Sequence, residues 1–358
     1  MGKHRTPDQH APHDRTAIRN VALAMVGLML LVVAMIASYS GAFAKPTLHH
    51  MDVAVAAPQQ VIDGIRAQDS LAVNEVGDAA AARQQVYERK SDAAFVVEPN
   101  GEMKIYVAGG GGRSVAAAAE TVGRTIAEKA GLTASVEDVA PPSAGDPSGT
   151  VEFYAIIFIS IGATVGATVV GRLMGTVRRP VTLALRTMTL AGYSALLAAG
   201  VTLYVDVILG ALTGHTWQVF GVLWLYAMAV GGAVTGAAAA FGTVASLALT
   251  LFLVVIGNAA AAGPVGRPLL SSLYSTFTGI VPQGSGVALL RSVAYFGGNG
   301  AQTALITLGI WGAAGCVLAI VATVAAQLNY RAPYERFLPG GAGRDRAVLR
   351  PGVLSPTD

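Results

Sequence analysis

The feature that most constrains this chain is a run of sixty residues, between Asp206 and Arg267, without any Asp, Glu, Lys or Arg. A helix needs about 20 apolar residues to cross a bilayer, so this run has room for the end of one span and two more. The whole chain of 358 residues is 53% hydrophobic and 13% charged, with a mean hydropathy of +0.55. Soluble domains carry about 25% charged residues, so the sequence predicts an integral membrane protein.

Apolar stretches of sufficient length, uncharged except for Asp206 in the third, predict six transmembrane helices. Their approximate limits are 20–44, 153–171, 187–212, 219–241, 244–262 and 302–327. The stretch 268–290 is also uncharged, but Gly279, Pro282, Gly284 and Gly286 interrupt it. Irregular backbone survives at membrane depth only where protein or water shields it. We therefore predict a re-entrant or interfacial hairpin here instead of a seventh span.

The distribution of charge predicts how the chain is oriented. The parts assigned to the cytoplasm are the basic arm 1–19, the loop after the second span and the tail 328–358. They hold thirteen basic and five acidic residues, whereas residues 45–152 hold nine basic and fifteen acidic ones. Because cytoplasmic segments are enriched in Lys and Arg, we expect a multi-pass protein of the bacterial cell (inner) membrane with both termini cytoplasmic. Residues 45–150 are then extracytoplasmic, and 151–327 form a five-span membrane domain.

A cleaved signal peptide is the alternative at the N-terminus. Ala42-Phe43-Ala44 has the small-x-small form of a cleavage site, and the arm before the first apolar stretch is basic. That stretch is longer than the core of a signal peptide, which has about 7–15 residues. Cleavage would leave five spans and place the N-terminus outside. An uncleaved first span is therefore favoured.

Residues 45–150 alternate between strand and helix patterns. The predicted strands are 51–57, 71–76, 93–98, 103–108 and 134–140, and the predicted helices are 58–67, 78–90 and 114–129. Pro58 suits the first position of a helix, Asp78 is a favourable N-cap, and Pro99-Asn100-Gly101 is typical of a turn. The predicted fold class is therefore an all-α membrane bundle of six spans, with a small extracytoplasmic α/β domain inserted between spans one and two.

The sequence contains no pattern that predicts an enzyme. Four glycines at 109–112 stand between a predicted strand and helix, but Arg113 replaces the Lys that a phosphate-binding loop requires. In Gly284-Ser285-Gly286, Gln283 stands where a nucleophile elbow has Gly. We therefore expect no catalytic residue, no metal site, no cofactor and no nucleic-acid partner.

The order of elements is accompanied by short recognisable segments. They are VAV at 53–55, DAAFVVEP at 92–99, DPSG at 146–149, GN at 257–258, VPQGSGV at 281–287 and RSVAYFGG at 291–298. In layout and in these segments the chain resembles the permease subunits of type-2 ABC exporters, including the phage-infection-protein-like (Pip-like) membrane proteins. The resemblance implies a separate ATP-binding-cassette ATPase as a partner. It also implies a homodimer or a heterodimer with a similar permease, because six spans are half of the usual exporter.

The loop after the second span departs from the pattern of these permeases. They usually carry an acidic residue shortly before a Gly-Thr where the ATPase docks, but Gly171-Arg172-Leu173-Met174 supplies none. The residues that remain candidates for ATPase docking are Gly175, Thr176, Arg178 and Arg179. The missing carboxylate favours the Pip-like branch, for which a dedicated ATPase is not implied.

Four residues of the apolar stretches are candidates for a transport pathway or vestibule: Asp206, Arg291, Pro282 and Asn258. An ionisable group in the bilayer is costly, so Asp206 is expected either to pair with Arg291 or to line an outer vestibule with it. The alternative is that Asp206 reaches the membrane interface.

The leading hypothesis is a permease subunit that moves a hydrophobic or amphipathic substrate across the membrane with energy from a separate ATPase. One alternative is an ATPase-independent, Pip-like receptor or envelope assembly platform. Another is a proton-coupled exporter in which Asp206 titrates. Membrane lipid is an expected partner in each case.

Overall fold

The computed structural model describes residues 13–175 and 179–336. Five helical segments in this part of the chain are long and apolar enough to cross a membrane: Thr16–Phe43, Val151–Met174, Pro180–Ile208, Thr216–Gly257 and Ala301–Leu328. Large apolar side chains such as Leu173, Val244 and Trp217 are exposed on or beside these helices. Such a surface is unfavourable in water and favourable in hydrocarbon, so the protein is membrane-embedded.

Helix α1 (His13–Phe43) is followed by a small α/β domain. Its elements are β1 (Met51–Ala56), α2 (Gln59–Arg66), β2 (Leu71–Glu75), α3 (Ala79–Tyr87), β3 (Ala93–Val97), β4 (Glu102–Val107), α4 (Arg113–Lys129) and β5 (Thr133–Asp138). These bounds confirm the predicted strands and helices to within three residues. Asp78 is the N-cap of α3 as predicted, because its carboxylate accepts a hydrogen bond from the backbone amide of Ala81 (2.7 Å).

The strands of the domain form one mixed sheet in the order β2-β1-β3-β4-β5. Strand β1 is parallel to β2 and β3, β3 and β4 are antiparallel, and β5 is parallel to β4. Successive side chains of a strand point to opposite faces. Val53 and Val55 of β1 therefore belong to the apolar core beneath α2 and α4. Ala54 lies on the other face, in a cluster with α3 and Phe296.

The membrane part contains α5 (Val151–Met174), α6 (Pro180–Thr202), α7 (Thr216–Phe252), α8 (Ser272–Thr278), α9 (Pro282–Tyr295) and α10 (Ala301–Arg336). π-Helical turns, Leu203–Ile208 and Leu253–Gly257, extend α6 and α7. Pro180 and Pro282 stand in the first turns of α6 and α9, where the missing amide hydrogen leaves no bond unmade. Gly175, with a φ of 70°, ends α5.

The segment that contains α7 folds back on itself at Gly242. This glycine has φ 83° and ψ −175°, outside the helical region. The carbonyl oxygen of Leu253 accepts a hydrogen bond from Gln283 in the first turn of α9 (2.8 Å). Tyr226 contacts Gly286 one turn later, where an added Cβ would lie 3.0 Å from Cδ2 of the tyrosine. A straight helix would separate Leu253 from Tyr226 by about 40 Å, so the two arms run side by side.

The helical segments differ from the predicted spans at several ends. The predicted spans 219–241 and 244–262 fall within one segment that is folded at Gly242. Helix α6 begins at Pro180, seven residues before the predicted span 187–212. Helix α1 also begins before the predicted limit of residue 20. A search for uncharged stretches stops at Arg186 and Arg19, although α6 and α1 begin before these residues.

The interrupted stretch 268–290 forms α8, a turn and α9. It begins beside the α/β domain, where the backbone amide of His49 donates to the carbonyl of Pro268 (2.7 Å). Helix α8 lies along α1, and the hydroxyls of Tyr274 and Ser38 are 2.9 Å apart. Helix α9 is buried among α5, α7 and α10 and ends at the domain. The stretch therefore enters and leaves the bundle on the side of the domain.

The end of α9 connects the domain to the bundle. Phe296 is buried in the apolar cluster between α3 and the sheet. The ring of Tyr295 lies against the Gly-rich turn of the domain, and an added Cβ at Gly110 would come within 2.5 Å of its Cγ. A larger residue at Gly110 would therefore displace the domain from α9.

Candidate functional site: a cavity between the domain and the bundle

A cavity of about 280 Å³ lies where the α/β domain meets the membrane helices, and we refer to it as the junction cavity. The domain lines it with the end of α3, the start of β3 and the Gly-rich turn before α4. The membrane part lines it with residues 261–268, the turn between α8 and α9, α9 itself and the first turn of α10. Neither part forms this cavity alone.

Arg291 of α9 is one of the cationic residues of the junction cavity. It is only 4% exposed, and its guanidinium donates to three backbone carbonyls. Nη1 donates to Ala262 (3.1 Å), and Nη2 donates to Gly149 (3.3 Å) and Gly263 (3.0 Å). The remaining nitrogen, Nε, is buried and has no hydrogen-bond partner among the described residues. Arg291 therefore ties the linker before α5 to α9, and its buried Nε donor remains unused among the described residues.

Arg89 approaches the same cavity from the domain. Its Nη1 donates to the carbonyl of Ala288 (2.7 Å) and to the hydroxyl of Ser292 (2.6 Å), both on α9. Its guanidinium carbon lies 5.0 Å from the centroid of the Phe296 ring, within the range of a cation–π contact. Burial, and secondarily the neighbouring charge of Arg291, lower the pKa of Arg89 to about 10. The side chain still carries its charge at neutral pH.

The backbone of Arg89 has an unusual conformation. It follows the C-terminal end of α3 with a φ of 59°, in the left-handed region that Gly usually occupies after a helix. Ala262, whose carbonyl accepts from Arg291, also has a positive φ of 56°. Strained backbone of this kind tends to occur at functional sites. Both residues line the junction cavity.

Asp92 at the start of the β3 region is the acidic residue among those that line the junction cavity. Its Oδ2 accepts a hydrogen bond from the backbone amide of Asp52 (3.1 Å). Burial raises the pKa of Asp92 to about 6, and the charges of Arg89 and Arg267 offset only part of that effect. Arg267 also lines the cavity.

The arginines of the junction cavity have no ion pair in the described part of the chain. Arg89, Arg267 and Arg291 have no carboxylate oxygen within 4.0 Å, whereas the six ion pairs that are present involve other basic residues. Glu152 in the first turn of α5 is buried near Arg291 but does not line the cavity. The lining therefore carries more positive than negative charge.

The junction cavity reaches the surface at the level where α10 begins. Of its lining residues, Arg267, Gly279, Gly300 and Thr303 are exposed. Ile280 follows Gly279 in the chain, and Ile306 lies about one helical turn after Thr303. The two isoleucines are 55% and 54% exposed. The indole nitrogen of Trp311 on α10 donates to the carbonyl of Ile280 (2.8 Å), which holds the α8–α9 turn beside α10. The mouth between this turn and α10 therefore has apolar side chains beside it, and the charged Arg267 is a further exposed lining residue.

A set of buried polar groups extends from α9 into the bundle. The amide nitrogen of Gln283 donates to the carbonyl of Leu253 (2.8 Å) and to the hydroxyl of Ser160 on α5 (3.2 Å). The oxygen of the same amide, the hydroxyl of Tyr226 and the side chain of Asn258 are buried without a partner among the described residues. Unpaired polar groups are rare in protein interiors and mark places that water or a ligand can satisfy.

A second cavity, of about 300 Å³, lies at the end of the bundle opposite the domain. Its lining comes from the end of α5, the start of α6 and the fold at Gly242. Arg186 on α6 is 5% exposed, and its Nε has no partner among the described residues. The guanidinium of Arg186 fits against α5 only because residue 171 is Gly: a Cβ added at Gly171 would lie 2.6 Å from Nη2 of Arg186.

The structure does not bring the predicted vestibule residues together as one group. Asp206 lies in the π-helical turn after α6, is 8% exposed, and accepts a hydrogen bond from the hydroxyl of Thr216. Arg291 bonds three backbone carbonyls, and among the described residues no ion pair joins it to Asp206. Asn258 and Pro282 are buried, Asn258 after the second arm of α7 and Pro282 at the start of α9. Arg291 alone of the four lines the junction cavity.

The docking candidates that the structure describes, Gly175 and Arg179, lie at the end of the bundle opposite the domain. Gly175 ends α5 and Arg179 is the exposed N-cap of α6, while Thr176 and Arg178 lie outside the described residues. Sequence reasoning missed Arg89 and Asp92, because charged residues in an extracytoplasmic domain look like ordinary surface residues. The backbone conformation of Arg89 would have distinguished it, but the sequence does not reveal that conformation.

Fold and site together define the class of the protein: a membrane-embedded helical protein whose α/β domain covers a basic cavity at one end of the bundle. The chain matches no family model, no curated protein and no solved structure. The likeness to type-2 ABC permeases therefore rests on layout and on the short sequence segments.

Proposed function

We propose that this protein is the permease subunit of an ABC-type exporter, which moves a hydrophobic or amphipathic substrate across the cell membrane with energy from a separate ATPase. The observation that carries the proposal is the junction cavity, because three arginines line it and the exposed apolar side chains of Ile280 and Ile306 lie beside its exposed lining residues. An amphipathic molecule has the same two parts. A cavity formed jointly by a domain and a bundle also changes shape when one moves against the other.

The proposed topology has six spans, with both termini in the cytoplasm of a bacterial cell and the α/β domain outside. The fold at Gly242 supports this count, because each arm of the segment Thr216–Gly257 then crosses separately. The excess of basic residues in the arm, in the loop after α5 and in the tail supports the orientation. The second cavity would then face the cytoplasm, next to the proposed ATPase-docking loop.

The first test is purification of the native complex in a mild detergent, with identification of the co-purifying proteins and an assay of ATP hydrolysis. A stoichiometric ATP-binding-cassette ATPase is the expected result. The variant Arg178→Gln/Arg179→Gln should lose that ATPase, whereas the control Arg124→Gln, which breaks an exposed pair with Glu120, should retain it. A complex without any ATPase would contradict the proposal.

The second candidate is an ATPase-independent, Pip-like receptor or assembly platform. It is favoured by the loop after α5, in which no carboxylate precedes Gly175-Thr176. The burial of Phe296 in the apolar cluster of the domain, which attaches the domain to α9, also suits a platform. This candidate predicts a self-dimer without ATPase and the loss of an envelope partner when residues 45–150 are deleted.

A further inference from the structure

We propose that the junction cavity binds the anionic phosphate group of a membrane lipid, and that Arg89 and Arg291 hold this phosphate. The inference rests on the proposed function, since it names the class of amphipathic substrate that the same cavity would take. It is based on the charges of the arginines, on their unused N–H donors and on the position of the mouth of the junction cavity.

The charges of the cavity favour an anion. Two guanidinium groups line the cavity, one from the domain and one from α9, with no carboxylate within 4.0 Å of either among the described residues. Arg291 is buried and Arg89 is half-buried, and like charges in such a site repel each other more strongly than in bulk water. A phosphate between them would replace repulsion by two charge-assisted interactions.

The hydrogen bonds of the arginines leave donors for such a group. A purely structural clamp explains why Arg291 bonds three carbonyls, but it does not explain the buried Nε, which has no partner in the described part of the chain. Within 13–175 and 179–336, Arg89 likewise bonds α9 through Nη1 alone, so Nη2 and Nε remain for another acceptor. Phosphate offers several acceptor oxygens, whereas a carboxylate or a single carbonyl offers fewer.

The mouth of the cavity indicates that the phosphate belongs to a lipid. It lies between Gly279 and Thr303, with Ile280 and Ile306 exposed beside it. Acyl chains are stabilised along an apolar surface of this kind, while the headgroup enters the basic interior. A free phosphate ester would gain nothing from these side chains.

The test measures lipid binding to the full-length protein in a neutral detergent, by native mass spectrometry and by thermal unfolding. The probes are phosphatidic acid, phosphatidylcholine with the same acyl chains, and glycerol 3-phosphate, which has the phosphate without the chains. We expect phosphatidic acid to bind at least tenfold more tightly than either of the other two. Equal binding of both lipids would overturn the proposal, and glycerol 3-phosphate binding as tightly as phosphatidic acid would overturn its lipid part.

Two variants test the residues. Arg89→Asn keeps a side chain that tolerates the left-handed backbone and removes the charge, so phosphatidic acid binding should fall at least tenfold. Asp92→Asn removes the negative charge of the lining, so binding at pH 7.5 should tighten several-fold without any change in the arginines. The matched control is Arg124→Gln, which should bind like the unaltered protein. Unchanged binding in Arg89→Asn, or in Asp92→Asn if Arg89→Asn does not fold, would overturn the assignment.

The binding assay separates this inference from the proposed function. Lipid binding that depends on Arg89, together with a complex that lacks an ATPase, would refute the exporter and retain the site. A stoichiometric ATPase together with binding that ignores Arg89 would refute the site and retain the exporter.

Discussion

At the scale of single residues, the most informative group is Asp92, because burial of its carboxylate makes the free energy of unfolding depend on pH. The pKa of about 6 lies above the value of 3.8 for an exposed Asp. Between these two values the folded protein binds more protons than the unfolded chain. The free energy of unfolding should therefore decrease as the pH rises from about 4 to about 6, and remain lower above that.

Replacement of Asp92 by Asn should remove this pH dependence. The amide oxygen can still accept the hydrogen bond from the backbone amide of Asp52, and no charge has to be buried. At pH 7.5 we expect a gain of about 1–3 kcal/mol, since one pKa unit corresponds to about 1.4 kcal/mol. Thermal unfolding in detergent at pH 5 and pH 7.5 measures it. A variant that is less stable than the unaltered protein at pH 7.5 would refute the expectation.

Asp206 provides a second prediction at this scale. Its carboxylate accepts a hydrogen bond from Thr216, the residue that begins α7, and so links the two ends of the loop 209–215. Asp206→Asn retains an acceptor, and we expect its stability to change by less than about 1 kcal/mol. If protons drive transport through this residue, the variant should instead lose the pH dependence of substrate flux. Flux that keeps its pH profile in the variant would exclude the proton-coupled alternative.

At the scale of the elements, the glycines of the membrane helices fall into two kinds. An added Cβ at Gly315 of α10 would lie 2.5 Å from the backbone of Gly232 on α7, and one at Gly236 would lie 2.3 Å from the carbonyl of Gly315. At Gly309 of α10, nothing lies within 4 Å of an added Cβ. Only the first kind permits the close approach of two helices.

This difference predicts the outcome of a matched pair of substitutions. Gly315→Ala should force α7 and α10 apart and destabilise the protein by about 1–3 kcal/mol, the usual cost of overpacking. Gly309→Ala, six residues earlier on the same helix, should leave the stability of the protein unchanged or raise it slightly, because Ala is a better helix former than Gly. Thermal unfolding of both variants in one detergent gives the comparison. Equal effects would show that the contact is absent.

Secondary structure in the α/β domain could be predicted from local sequence, because its determinants are local. Asp78 caps α3 as its sequence position indicates, and the turn at Gly101 separates β3 from β4. The fold at Gly242 was harder to place, since hydropathy is uniform across it. The helical character of 282–295 was missed because Gly284 and Gly286, which suggest irregular backbone, here allow α9 to contact its neighbours closely.

The candidate site was less predictable for a physical reason. It depends on contacts between residues about two hundred positions apart, such as Arg89 with Ser292. Hydropathy identified Arg291 as unusual, because a charge in an apolar stretch is costly. It then favoured Asp206 as the partner on the grounds of opposite charge, whereas backbone carbonyls fill that role in the structure.

At the scale of the whole molecule, the proposed topology makes a prediction about accessibility. In a Cys316→Ala background, a cysteine at Asn100 should react with a membrane-impermeant maleimide in intact cells. Cysteines at Arg179 and Thr243 should react only after the membrane is permeabilised, because six spans place the fold at Gly242 on the cytoplasmic side. A label at Thr243 in intact cells would contradict the six-span topology.

The composition of the junction cavity has a consequence for the order in which the protein matures. All strands of the α/β domain lie between Met51 and Asp138, so this domain can fold while the rest of the chain is still being synthesised. The cavity also needs residues 261–304, which leave the ribosome much later. A chain arrested before residue 261 would therefore display a folded domain without the membrane-side lining of the cavity, and occupancy of the cavity would report that insertion is complete.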